Sequence, residues 1–101
     1  MKAIKVEYTV KPEYVATNKA NIQKVMDELR GRSDKGILYS TYIKEDGVSF
    51  VHFSIQSSED NIIPSLETFK AFSTQLKAEG LAAGNTPEAI KLDMVAKSFD
   101  F

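Results

Sequence analysis

The chain reads as an α+β protein: strand, helix, strand, strand, helix, strand, with the four strands forming one antiparallel sheet. Three observations predict this. Apolar and polar residues alternate in four separate runs. Two intervening stretches change to the helical period instead. An Asp-Gly pair separates the two middle runs, which marks them as a hairpin.

Ile4, Val6, Tyr8 and Val10 alternate with Lys5, Glu7, Thr9 and Lys11, so the first strand occupies this stretch. Pro12 ends it, because proline has no backbone N–H for the ladder and restricts the residue before it. From Glu13 to about Arg30, Val15, Ile22, Val25, Met26 and Leu29 fall in one sector at 100° per residue, which predicts an amphipathic helix. Glu13 near its start and Arg30 and Arg32 near its end suit the helix dipole, and Gly31 is a natural stop. Ser33–Gly36 reads as a loop.

Ile37 to Lys44 alternates again, Glu45-Asp46-Gly47 carries the turn signal, and Val48 to Ile55 forms the third strand. Both faces of this hairpin carry bulky apolar side chains, unlike a sheet with one wet face. After the loop Ser57–Asn61, a second helix is expected from about Pro64 to Ala78, with Leu66, Phe69, Phe72 and Leu76 as its buried stripe. Gly80 to Pro87 is a connection rich in small residues. Ile90, Leu92 and Met94 alternate as the last strand. Phe99 and Phe101 then take the opposite parity, through a bulge or by covering the second face of the sheet.

Composition bounds the function. The 101 residues suit a single domain spanning 1–101, whose size buries roughly two-thirds of the unfolded surface. A net charge of −1 supplies no field for nucleic acid or anionic lipid, so neither is an expected partner. No cysteine is present, which excludes disulfides, thiolate metal sites and cysteine nucleophiles. The opening residues leave no room for a signal-peptide core, and no apolar run approaches the roughly 20 residues that span a bilayer. A cytoplasmic protein is the expectation.

The element order is the split βαβ, or ferredoxin-like, arrangement. Two helices cover only one face of a four-stranded sheet, so the apolar second face calls for a partner. A second copy of the chain, packed sheet against sheet, is the economical one.

The chain resembles the dimeric α/β-barrel superfamily and, within it, the antibiotic biosynthesis monooxygenase-like proteins. The resemblance rests on Ile4-Lys5-Val6-Glu7-Tyr8-Thr9-Val10-Lys11-Pro12, on Asp46-Gly47-Val48-Ser49-Phe50-Val51-His52 and on Leu66-Glu67-Thr68-Phe69-Lys70-Ala71-Phe72. It implies a homodimer formed through sheet faces and a small pocket between sheet and helices. Some members are cofactor-independent oxygenases of quinol-like or polyketide aromatics; others degrade haem with a helix histidine as iron ligand. The second helix here contains no histidine, a departure that speaks against haem degradation.

His52 is the single histidine, in the middle of the third strand. It reads either as a general base or hydrogen-bond partner at a pocket, or as a strand histidine bonded at the dimer interface. One histidine without evident partners makes no metal site. Asn18 lies inside the apolar sector of the first helix, between Val25 and Leu29 in angle, so its amide needs buried partners or binds a ligand. Tyr8, Tyr14, Tyr39 and Tyr42 can line a cavity or pack in the sheet.

Asp27-Glu28 and Glu59-Asp60 are paired only along the chain, and adjacent helix residues do not face one another. Gly80–Gly84 lacks the lysine and helix context of a phosphate loop.

The resulting expectation is a small dimeric enzyme of monooxygenase type, acting without cofactor on a small aromatic or quinol. His52 is its candidate catalytic residue, Asn18 and Tyr39 orient the substrate, and Phe50, Phe69 and Phe72 form the walls. The alternative is a non-catalytic homodimeric module that binds a small apolar molecule or serves a stress-associated role.

Overall fold

The computed structural model describes residues 1–33 and 36–101. The loop expected at Ser33–Gly36 contains Asp34 and Lys35, which lie outside the described residues.

Strand β1 (Lys2–Thr9) is followed by helix α1 (Val15–Arg30), strands β2 (Ile37–Ile43) and β3 (Ser49–Gln56), helix α2 (Glu67–Gln75) and strand β4 (Glu88–Leu92). The sheet order is β2-β3-β1-β4, with every neighbouring pair antiparallel. This is the ferredoxin-like arrangement expected from the pattern.

The prolines set the entries to both helices. Pro12 opens a single 3-10 turn, Pro12–Tyr14, before α1 begins. Pro64 sits in a second such turn, Ile63–Ser65, and the extended Leu66 delays α2 to Glu67. Fixed φ and a missing donor suit proline to an isolated turn as well as to a helix start. The N-terminus of α2 is capped from α1: Glu28 Oε1 accepts from the Thr68 backbone N–H at 3.0 Å and the Thr68 hydroxyl at 2.6 Å. Those bonds hold the Glu28 carboxyl below its ordinary pKa.

The second helix does not continue regularly to Ala78. After Gln75 it widens into a π turn, Leu76–Gly80, closed by the Leu81 N–H donating to Leu76 O at 3.2 Å. Gly80 ends against the Tyr14 ring, where an added Cβ would stand 2.4 Å from a ring carbon.

The hairpin pairs Ile37 with Gln56 through Ile43 with Phe50. Its loop is closed by Lys44 N–H donating to Ser49 O at 2.8 Å and turns at Gly47, whose φ is +75°. The Asp46 carboxylate accepts from Val48 N–H, Ser49 N–H and the Ser49 hydroxyl, which fixes the loop and lowers its pKa. Strand β4 starts two residues before Ile90 and stops at Leu92, which pairs with Ala3 near the start of β1. Met94, expected in this strand, lies beyond it.

Strand parity divides the sheet chemically. Tyr8, Phe50 and His52 face the helices; Tyr8 and Phe50 join Val10, Ile22, Val25 and Leu66 in the core. On the opposite face Leu38, Tyr42, Phe53, Ile90 and Leu92 are each more than a third exposed. The C-terminal aromatics leave these five side chains partly exposed. Phe99 and Phe101 pack on each other with ring centroids 4.8 Å apart, and Lys97 sits over Phe99 and donates to the Phe101 carbonyl. Glu7 of β1 forms an ion pair with Lys44 of the hairpin loop at 2.5 Å.

Candidate functional site

A cavity of about 280 Å³ lies between the helix-side face of the sheet and α2. Its sheet wall comes from Ile4, Val6 and Tyr8 of β1, His52 and Ser54 of β3, and Tyr39 of β2. Phe69, Phe72 and Leu76 close it from α2 and the π turn, and Asn61, Ile63 and Pro64 close one end. Most of these groups are apolar, with a few polar atoms among them, as in small-molecule sites generally.

His52 organises the polar part. It is 5% exposed, and both ring nitrogens are engaged: Nε2 lies 2.8 Å from the Tyr8 hydroxyl, and Nδ1 lies 2.8 Å from the Tyr39 hydroxyl. Behind Tyr8, the Asn18 amide donates from Nδ2 to Tyr8 Oη at 3.0 Å. Four side chains from α1, β1, β3 and β2 therefore form one continuous line, Asn18–Tyr8–His52–Tyr39. Burial lowers the His52 pKa to about 4, so the imidazole is neutral at pH 7. Burial also pushes both tyrosine hydroxyls above their ordinary range. All four groups are thus uncharged near neutrality.

The aromatic rings hold this line in place. His52 lies 5.3 Å from Tyr8, 5.9 Å from Tyr39 and 5.7 Å from Phe72, and Phe72 lies 5.5 Å from Phe69, centroid to centroid.

Of the residues expected from the sequence, His52, Tyr39, Phe69 and Phe72 line the cavity together. Asn18 and Phe50 do not line it. Asn18 is fully buried one hydrogen bond behind Tyr8, and Phe50 stacks on the far side of Tyr8 at 5.8 Å. Tyr8 is the group sequence reasoning undervalued. Its parity with Val6 marked it as inward-facing, but only the register of β1 against β3 brings it to His52. Ser54, Asn61, Ser73 and Lys77 also line the cavity, and no pattern in the sequence singles them out.

The end formed by Asn61 is pinned by a buried amide. Gln56, 1% exposed, donates from Nε2 to Asn61 Oδ1 at 2.6 Å and accepts from Ile62 N–H at 3.3 Å. A second depression, about 560 Å³ and more open to solvent, lies between the end of α1 and β2 and is bordered by Arg30 and Arg32. Among the described residues, those that border it form no comparable buried polar chain. Among the described residues, no three His, Cys, Asp or Glu side chains gather as a metal site, and no helix is long and apolar enough to cross a membrane.

This architecture is found in known structures. One titled as an antibiotic biosynthesis monooxygenase superposes with a TM-score of 0.72 at 17% identity, covering 95% of this chain and 100% of that one. A Bacteriodes thetaiotaomicron protein titled for the same activity gives 0.78 at 12% identity, over 99% of this chain and 94% of its own. SnoaB of Streptomyces nogalater, a cofactor-independent oxygenase, gives 0.67 at 15% identity, over 95% and 94%. The chain has the ferredoxin-like fold of these antibiotic biosynthesis monooxygenase-like structures. No family model matches the sequence. No curated protein matches it either.

Proposed function

We propose that this protein is a homodimeric, cofactor-independent monooxygenase of a small aromatic or quinol-like compound. The observation that carries the reading is the cavity beside α2 with the His52–Tyr39 pair in its wall. The likeness in fold to SnoaB supports it. In such a reaction the substrate supplies all the electrons. An activated CH₂ loses a proton, the carbanion reduces O₂, one oxygen atom becomes the new carbonyl, and the other leaves as water with the two hydrogens. The chain's part is to hold the ring against Phe69 and Phe72, keep water away, and hydrogen-bond the oxygen on which charge develops. The apolar open face, which carries Phe53 and Ile90, supports the homodimer.

A second reading is a non-catalytic binding module, and His52 is the reason to keep it. With a pKa of about 4 and both nitrogens engaged, its imidazole is a weak base for taking a substrate proton. Oxygen-electrode traces with anthrone and 1,4-dihydroxynaphthalene separate the two. Uptake well above autoxidation, reduced by Phe69→Ala, supports the oxygenase. Binding of these compounds with no uptake above buffer leaves the binding module.

A further inference from the structure

Hydrogen-bond accounting along the buried line gives it a direction. Tyr8 is 3% exposed, and among the described residues its hydroxyl has two hydrogen-bonding neighbours, Asn18 Nδ2 and His52 Nε2. The amide nitrogen can only donate. The Tyr8 proton therefore has one acceptor, the Nε2 lone pair. Turning the Asn18 amide around would offer Tyr8 an oxygen instead, but it would leave both N–H donors of a fully buried side chain without a partner. The orientation seen gives one of those donors a partner and leaves Asn18 Oδ1 without one.

With Nε2 accepting, a neutral imidazole carries its proton on Nδ1. That N–H donates to Tyr39 Oη at 2.8 Å. Tyr39 accepts from His52 and makes no other hydrogen bond among the described residues, so its own proton is uncommitted. The order of donation is Asn18 to Tyr8, Tyr8 to His52, His52 to Tyr39, and Tyr39 lines the cavity.

We infer that Tyr39 is the group through which the cavity meets its ligand, and that it acts as a hydrogen-bond donor selecting a bare acceptor oxygen, such as an aryl ketone or quinone carbonyl, over a hydroxyl. This inference rests on the cavity being a small-molecule site, as proposed above. Tyr8 and Asn18 are then positioning residues: their hydrogen bonds set the histidine tautomer, Asn18 stands behind the cavity, and Tyr8 contributes to it only as wall. Donation polarised along three preceding bonds strengthens the last one, which is the bond a carbonyl receives.

The test is calorimetric titration of the native protein with 1-tetralone and 1-tetralol, which differ at one oxygen. Tighter binding of the ketone by roughly tenfold, erased in Tyr39→Phe with tetralol affinity unchanged, is the expected result. Equal affinities, or preference for the alcohol, overturn the inference while leaving a small-molecule pocket in place. Binding of neither compound defeats the pocket reading and the inference with it. Nitrogen-15 NMR of the His52 ring at pH 7 gives an independent check. A protonated Nδ1 and a bare Nε2 are expected, moving toward the other tautomer in Tyr8→Phe; a protonated Nε2 in the native protein overturns the assignment.

Discussion

Tyr8 and His52 bond at 2.8 Å although they are not directly paired: His52 stands opposite Val6, and Tyr8 stands opposite Phe50. They are diagonal neighbours on one face. Tyr39, opposite Ser54, is diagonal to His52 in the same way. Side chains of this length reach across the diagonal of an antiparallel pair, so three strands contribute one hydrogen-bonded row.

That row makes stability depend on pH. The folded-state pKa of His52 is about 4, below its ordinary 6.5. Between these values the unfolded chain takes up a proton that the native imidazole refuses, so stability falls as pH falls through this window. The full loss is on the order of 3 kcal/mol. Urea denaturation at pH 7 and pH 5 is expected to show most of the His52 contribution lost, and the slope to flatten in His52→Gln. The carboxylates of Glu7, Glu28, Asp46 and Glu59 have lowered pKa values, so their stabilisation is lost at the acid end of this window and below it, from about pH 4.5 downward.

Gly80→Ala is expected to destabilise the protein by about 1–3 kcal/mol. The new methyl would overlap the Tyr14 ring, which is itself buried. Thermal unfolding checks it, and the double variant with Tyr14→Leu should recover part of the loss.

Phe53→Asp or Ile90→Glu is expected to give a folded monomer from a dimer. Both side chains sit on the open face on either side of Lys5, and a charge there would have to be desolvated at the interface. Sedimentation equilibrium reads the outcome. A native protein that sediments at 11.3 kDa at micromolar concentration defeats the homodimer.

Gln56→Leu should cost about 2 kcal/mol by stranding buried polar groups. Its specific mark is faster amide exchange at Ile62, whose N–H bonds the Gln56 carbonyl, while β1 amides stay protected. Uniform loss of protection would make the residue merely part of the core.

Much of this was legible in the sequence. Period-two runs located the strands, and the helical angle of Asn18 between Val25 and Leu29 foretold its complete burial. The π turn was not legible, because Leu76 fits a regular stripe as well as a widened one. The partners of His52 were hidden for a different reason. Parity tells which residues share a face within a strand, but the Tyr8–His52–Tyr39 row depends on offsets between strands distant in the chain. Those offsets are decided by packing rather than by local preference.

The loop between β2 and β3, held by Asp46 and turned at Gly47, has a reach beyond its own few residues. Sliding β3 by one position against its neighbours would carry His52 outward and turn Phe53 inward. One such error would empty the cavity of its polar row and put an imidazole in the middle of the apolar face. The proposed chemistry and the proposed assembly therefore hang on a single alignment, and a one-residue insertion at that turn would threaten both together.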